Sequence, residues 1–229
     1  MWGLFHPVLL LATYGFVFTH IIPARIPDAS FGFVPYLALA FWPWLAFAES
    51  LQRGATAIVD HAALIDKVPV PMTTLVLARV AATFAVHGVG YCLVLFVLAL
   101  TGTQLDLLWL PALLPYLILL IVFTTGLCLT AAAMQVFIRD LAQVLAALLT
   151  IWFFCTPIIY SPALIPEQYH SLFAANPMTW FAEFPRRVLL YDTMQWTSAD
   201  LISVAISVTA LVLGYGIFRR CRPFFEEFL

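Results

Sequence analysis

The sequence predicts an all-α integral membrane protein, on two observations. Of its 229 residues, 64% are hydrophobic and 10% charged, with a mean hydropathy of +1.01; a water-soluble domain carries about 45–50% apolar and about 25% charged residues. The apolar residues are also not striped. In "LAFWPWLAFAESLQRG", residues 39–54, no charged or amide side chain occurs before Glu49, whereas a helix with one face in water interrupts its apolar run every second turn.

Crossing the hydrocarbon takes ~20 mostly apolar residues, because every backbone polar group there must be satisfied internally. Six stretches qualify within one domain, residues 1–229: 2–22, 31–48, 75–100, 113–134, 141–160 and 201–218. The first lacks a basic n-region and is longer than the ~7–15 residues of a signal-peptide core, so it counts as a span. The second leaves the bilayer at Glu49 and leads into "RGATAIVDHAALIDKVPVPM". There Ala55, Ile58, Ala62 and Ile65 share one helical stripe, Asp60, His61, Asp66 and Lys67 are polar, and Pro69 and Pro71 stop the helix. A short amphipathic helix follows. It either rests on headgroups or docks a soluble partner, and periodicity fits both.

In the third span Arg79 lies near enough to the end to snorkel, while His87 sits near the middle. An ion carrier shows a chain of buried Asp, Glu or His; a lone His87 reads as a neutral packing residue. Between spans four and five, residues 135–140 form a tight turn bearing Arg139 and Asp140. Adjacent side chains do not face each other on a helix, so the pair marks either a helix boundary or a contact to a neighbouring element. The segment from Ser161 to Asp200 is long and apolar in parts, and its Pro and Asn-Pro breaks divide it into pieces too short to span. Such pieces read as re-entrant or interfacial helices between spans five and six.

With the N-terminus cytoplasmic, the inner segments hold Arg53, Lys67, Arg79, Arg139, Arg219, Arg220 and Arg222, and the outer ones Arg25, Arg186 and Arg187. Seven against three favours that orientation, with both termini inside. A net charge of -2 offers no basic field for nucleic acid. Cys92, Cys128, Cys155 and Cys221 stand far apart, which indicates neither a metal site nor a disulfide framework, and reads as small buried side chains. No GxxxxGK[ST], HExxH or GxSxG occurs, so a catalytic site is not expected.

The ordered set "FWPWLAFAESLQRG", "AALIDKVPVP", "IRDLAQVLAALLTIWFFCTPIIY", "LIPEQYHSLFAANPMTW" and "EFPRRVLL" resembles the type-2 ABC permeases that export polysaccharides such as lipopolysaccharide O-antigen, capsule or teichoic acid. The resemblance runs over almost the whole chain. It implies a six-span permease of the cell inner membrane, working as a homodimer with a separate ATP-binding cassette subunit that binds the ATP and Mg, and moving a lipid-linked polysaccharide. It further implies that Arg53, Asp60, His61, Asp66, Lys67, Pro69 and Pro71, with Arg139 and Asp140, couple the chain to that subunit. The half-helices at 166–174 and 177–190, with Asn176, Pro177, Arg186 and Arg187, become the periplasmic gate. The family usually begins with a basic amphipathic segment of about 30 residues before the first span, whereas this chain starts at "MWGLFHP"; either the start is set too late or the element is lacking.

A path for sugars needs rings more than charges, because a ring face packs on sugar C–H surfaces and permits sliding. On the second span Tyr36, Trp44 and Phe47 share a face, and on the fifth Phe153, Thr156 and Tyr160 recur at i, i+3 and i+7. These six are the candidate substrate path. Two rivals remain: a permease for a drug or small lipid, and a membrane assembly protein without transport.

Overall fold

The computed structural model describes residues 2–21, 31–65, 71–191, 193, 195 and 197–228. Among them are nine α-helices and no strand. The helices are α1 (Trp2–Phe16), α2 (Phe33–Ala55), α3 (Ala62–Ile65), α4 (Met72–Leu100), α5 (Leu113–Phe137), α6 (Leu141–Phe154), α7 (His170–Ala175), α8 (Pro177–Leu189) and α9 (Ser198–Cys221). Among the described residues four helical stretches are long and apolar enough to cross a membrane, Phe33–Ala55, Met72–Leu100, Leu107–Phe137 and Ser198–Phe225. Two more, Pro7–Ile21 and Leu141–Phe154, are apolar but shorter.

Two expectations need correction. The fifth span was expected to reach Tyr160, yet α6 ends at Phe154. Pro157 has no N–H to donate and biases Thr156 away from helical geometry; the Thr156 N–H turns back to the Phe153 carbonyl at 3.1 Å and closes the last turn tightly. The single amphipathic helix after span two is also broken up. α2 runs on to Ala55, a turn follows, and Val59–His61 forms a 3-10 turn ahead of the four-residue α3. Its apolar stripe is split: Ala55 and Ile58 are fully buried, while Ala62 and Ile65 are partly exposed.

The chain divides into two units, each using pieces of several helices. One comprises Met1–Leu45, Val86–Leu117 and Trp152–Asp200, the other Ala46–Ala85, Ile118–Ile151 and Leu201–Leu229.

Two helix-interior prolines shape the first unit. A proline at i leaves the carbonyl of residue i−4 without its helical donor, and in apolar surroundings that carbonyl needs another one. Pro43 in α2 frees Leu39, whose carbonyl accepts from the Tyr91 hydroxyl of α4 at 3.2 Å. Pro185 in α8 frees Phe181, whose carbonyl accepts from the Tyr116 hydroxyl of α5 at 2.7 Å. The Tyr116 ring also stacks on Phe184, 3° from parallel. Tyr116→Phe is therefore expected to cost about 1–3 kcal/mol for the unsatisfied carbonyl. In a Pro185→Ala background, where residue 185 regains its N–H, the same change should cost much less. Thermal denaturation of the four proteins of that cycle checks the account; equal costs in both backgrounds would refute it.

Glycines shape the second unit. A Cβ on Gly126 of α5 would stand 2.3 Å from the Ala210 backbone of α9, and one on Gly214 2.0 Å from the Gly126 carbonyl oxygen. The two helices touch backbone to backbone. Similarly, the end of α2 lies on α5 at Gly54, where a Cβ would meet Cys128 Sγ at 2.6 Å. Cys128 is buried as expected, but Cys92 and Cys155 are exposed.

Candidate functional site

α6 has 14 residues, about 21 Å at 1.5 Å per residue, against a hydrocarbon core of ~30 Å. A helix that stops short leaves its last carbonyls without donors, and at membrane depth these must be supplied by protein. The first unit does so with side chains. The Tyr160 hydroxyl donates to the Phe154 carbonyl at 2.7 Å, and Asn176 Nδ2 donates to the Cys155 carbonyl at 2.9 Å. The Arg186 guanidinium donates from Nη1 to the Pro157 carbonyl at 2.7 Å and from Nη2 to the Ile158 carbonyl at 2.6 Å.

Arg186 is fully buried in α8, and each of its three guanidinium nitrogens donates. Nε donates to the Tyr36 carbonyl at 2.8 Å, Nη1 meets Glu183 Oε1 at 2.6 Å, and the guanidinium carbon lies 3.5 Å from the centre of the Tyr36 ring. Three carbonyls, a carboxylate and a ring face together offset the loss of hydration. The planar, five-donor geometry of arginine suits this site and a lysine's does not.

Its neighbour reaches elsewhere. Arg187 pairs with Asp200 in the first turn of α9, a carboxylate that also accepts from Trp180 Nε1 at 2.8 Å and reaches back to the Thr197 N–H at 2.6 Å. The last contact is the return half of a capping box, satisfying an orphan donor at the start of α9. Asn176, at the joint of α7 and α8, makes four hydrogen bonds. Its Oδ1 accepts from Trp152 Nε1 and the Met178 N–H, and its Nδ2 donates to the Cys155 carbonyl and Thr156 Oγ1. That exhausts the capacity of the amide.

The candidate gate residues Asn176, Pro177, Arg186 and Arg187 thus lie in one unit, the first three around the end of α6 and Arg187 against the first turn of α9. Of the candidate path residues, Tyr36, Trp44, Phe47, Phe153 and Thr156 are buried inside the chain, and Tyr160 is partly exposed. The spacing of Phe153, Thr156 and Tyr160 on one helical face does not hold, because α6 ends before the last two. Trp44 packs against Trp152 and Phe153, and Phe47 stacks on Phe123.

The candidate coupling residues that are described lie in the other unit. Arg53 pairs with Glu49 one turn earlier at 2.6 Å. Asp60 accepts from Thr56 Oγ1 at 2.9 Å and lies 3.4 Å from Arg79 of α4. His61 Nδ1 is 2.8 Å from the Ala57 carbonyl, and Pro71 directly precedes α4. Arg139 and Asp140 are exposed in the turn between α5 and α6, where the Arg139 carbonyl accepts from Gln135 Nε2. Asp66, Lys67 and Pro69 lie outside the described residues.

Sequence reasoning missed Tyr91, Tyr116, Glu183 and Asp200. A signal existed for the last: the Thr-x-x-Asp spacing of Thr197 and Asp200 before an apolar run marks a helix start. Among the described residues no cluster of His, Cys, Asp and Glu suits a metal ion.

The family model for the ABC-2 type transporter matches residues 1–190. The chain is 28% identical over 230 residues to the O-antigen export system permease protein RfbA of Myxococcus xanthus, covering 99% of this chain and 86% of that one. It is 23% identical over 233 residues to the RfbA protein of Klebsiella pneumoniae, covering 100% and 86%. To the polysialic acid transport protein KpsM of Escherichia coli it is 23% identical over 220 residues, covering 96% and 84%.

Proposed function

Because the chain belongs to the ABC-2 type transporter family, we propose that it is the permease subunit of an ATP-driven exporter that moves a lipid-linked polysaccharide across the inner membrane. The observation that carries the substrate class is similarity over nearly the full chain to permeases named for O-antigen and polysialic acid transport. The permease spans the membrane six times with both termini cytoplasmic and acts as a homodimer with a separate ATP-binding subunit. α1 with its following π-helical turn, and α6 with the capped segment beyond it, make the two spans whose helices fall short.

In this scheme Arg53, Asp60, His61, Asp66, Lys67, Pro69 and Pro71, with Arg139 and Asp140, form the coupling surface for the partner, and α7 and α8 form the outer gate. The Asp60–Arg79 contact supports a link from that surface into α4. Tyr160 faces the cargo. The buried Tyr36, Trp44, Phe153 and Thr156 of the same unit shape the wall behind it, while Phe47 packs on Phe123 in the other unit; Trp44→Ala is expected to lower the yield of folded protein, at a cost of roughly 3–5 kcal/mol, without slowing export per folded molecule.

Two measurements test the scheme. Purified alone, the chain is expected to hydrolyse no ATP; with its partner, turnover appears, and Asp60→Arg reduces it severalfold while the protein stays folded. Deleting the chain in its host should leave polysaccharide inside the cells and bare surfaces outside. Normal surface polysaccharide in the deletion strain would overturn the assignment.

A further inference from the structure

The two helices of the outer gate are held very differently. α8 buries eight of its 13 residues and is braced on two sides: Arg186 bonds to the end of α6 and to α2, and Arg187 to the first turn of α9. Tyr116 adds a third brace through the Phe181 carbonyl, and the Leu189 carbonyl accepts from the Asp106 N–H at 3.0 Å. α7 buries none of its six residues. Leu172 is 67% exposed, and the ring of Phe173 meets Tyr160 only edge-on, 6.4 Å between centres. Beneath α7 lies a cavity of about 320 Å³, lined by Trp152, Cys155, Leu172, Phe173 and Asn176 among others.

We propose that the outer gate opens by movement of α7 alone, swinging about Asn176 over this cavity, and that Arg186 and Arg187 are positioning residues that keep α8 fixed. The inference rests on the exporter reading above. Moving α8 would break four charge-assisted contacts at once, three of them in a fully buried site, where unpaired groups are most costly. Moving α7 forfeits little burial, and segments with few buried contacts are the ones that open locally. Asn176 suits the pivot, because its saturated amide anchors the joint to the α6 end while the Pro177 ring fixes the start of α8. The cavity gives α7 room on its inner side, and the space is apolar enough to take a ring face or a hydrocarbon stretch of the cargo as it passes.

Cross-linking within one protomer tests this in the complex with the ATP-binding partner. In a variant whose other native cysteines are Ala, Cys155 and Leu172→Cys face the same cavity and are bridged by a reducible bismaleimide. The bridge is expected to cut export by roughly tenfold, as tethering a lid does, with recovery on reduction. A second variant lacks all native cysteines and carries Leu105→Cys and Leu190→Cys, which flank the hydrogen bond from Asp106 to Leu189. Its bridge ties α8 to the segment before α5 and should leave most of the export intact. Full export with the first bridge, or arrest by the second, would overturn the proposal. Absence of export by the wild-type complex, with no cross-linker present, would overturn the exporter reading and the α7 gate with it.

Discussion

Arg186→Met is expected to abolish most folded protein, the largest effect of any single substitution in the first unit. The change leaves the carbonyls of Tyr36, Pro157 and Ile158 without the donors they have now and strips Glu183 of its partner. Unsatisfied buried groups cost about 1–3 kcal/mol each, so losing the donors of three carbonyls together costs at least about 3 kcal/mol, while Glu183, 31% exposed at its side chain, stays partly hydrated. Even that minimum is a large share of the ~5–15 kcal/mol by which folded proteins are stable. Arg186→Lys should recover less than half of the loss, since one ammonium cannot reach three divergent carbonyls and stack on Tyr36. The readout is the monodisperse fraction and its melting temperature in detergent. A Met variant as stable as wild type would show that water or lipid can satisfy the broken end of α6, and the capping argument would fail.

A second large effect is expected in the other unit. Gly214→Ala places a methyl 2.0 Å from the Gly126 carbonyl oxygen, and Gly126→Ala one at 2.3 Å from the Ala210 backbone. Backbone cannot rotate aside as a side chain does, so α5 and α9 must separate. Overpacking costs typically about 1–3 kcal/mol, and more where no side chain can yield; the close van der Waals contact of two membrane helices is lost as well. Gly216→Ala makes the natural control, since a methyl there would have nothing within 4 Å of it. The same melting measurement should place Gly126→Ala and Gly214→Ala well below wild type and Gly216→Ala beside it. Three equal values would mean that α5 and α9 do not touch.

Much of this was legible in the sequence because hydropathy and backbone chemistry are local. The polar burst after Glu49 marked the end of the apolar part of α2, and the Asn-Pro break at Asn176 and Pro177 separated α7 from α8 where the structure does. Proline at 157 was equally visible, but the apolar composition continues through "CTPIIY", so a hydropathy window carries the span past the point where the hydrogen-bond ladder stops. What was not legible is long-range. Arg186 and the carbonyl that it caps on α2 stand 150 residues apart, and a count of Lys and Arg treats that buried guanidinium as a loop charge. The shared face of Phe153, Thr156 and Tyr160 was lost for the same reason as the span end, since α6 stops at Phe154; helical spacing puts residues on one face, but it does not say whether that face meets a lumen or a neighbouring helix.

The central claim is that this chain moves polysaccharide, and it is tested most directly by transport in proteoliposomes holding the chain and its ATP-binding partner. With lipid-linked polysaccharide supplied on the ATP side, sugar should become accessible to an enclosed glycosidase only when ATP is hydrolysed, and a small lipid without the sugar chain should not cross at a comparable rate. ATP-dependent movement of the small lipid or of a drug, with the polysaccharide left outside, would contradict the account.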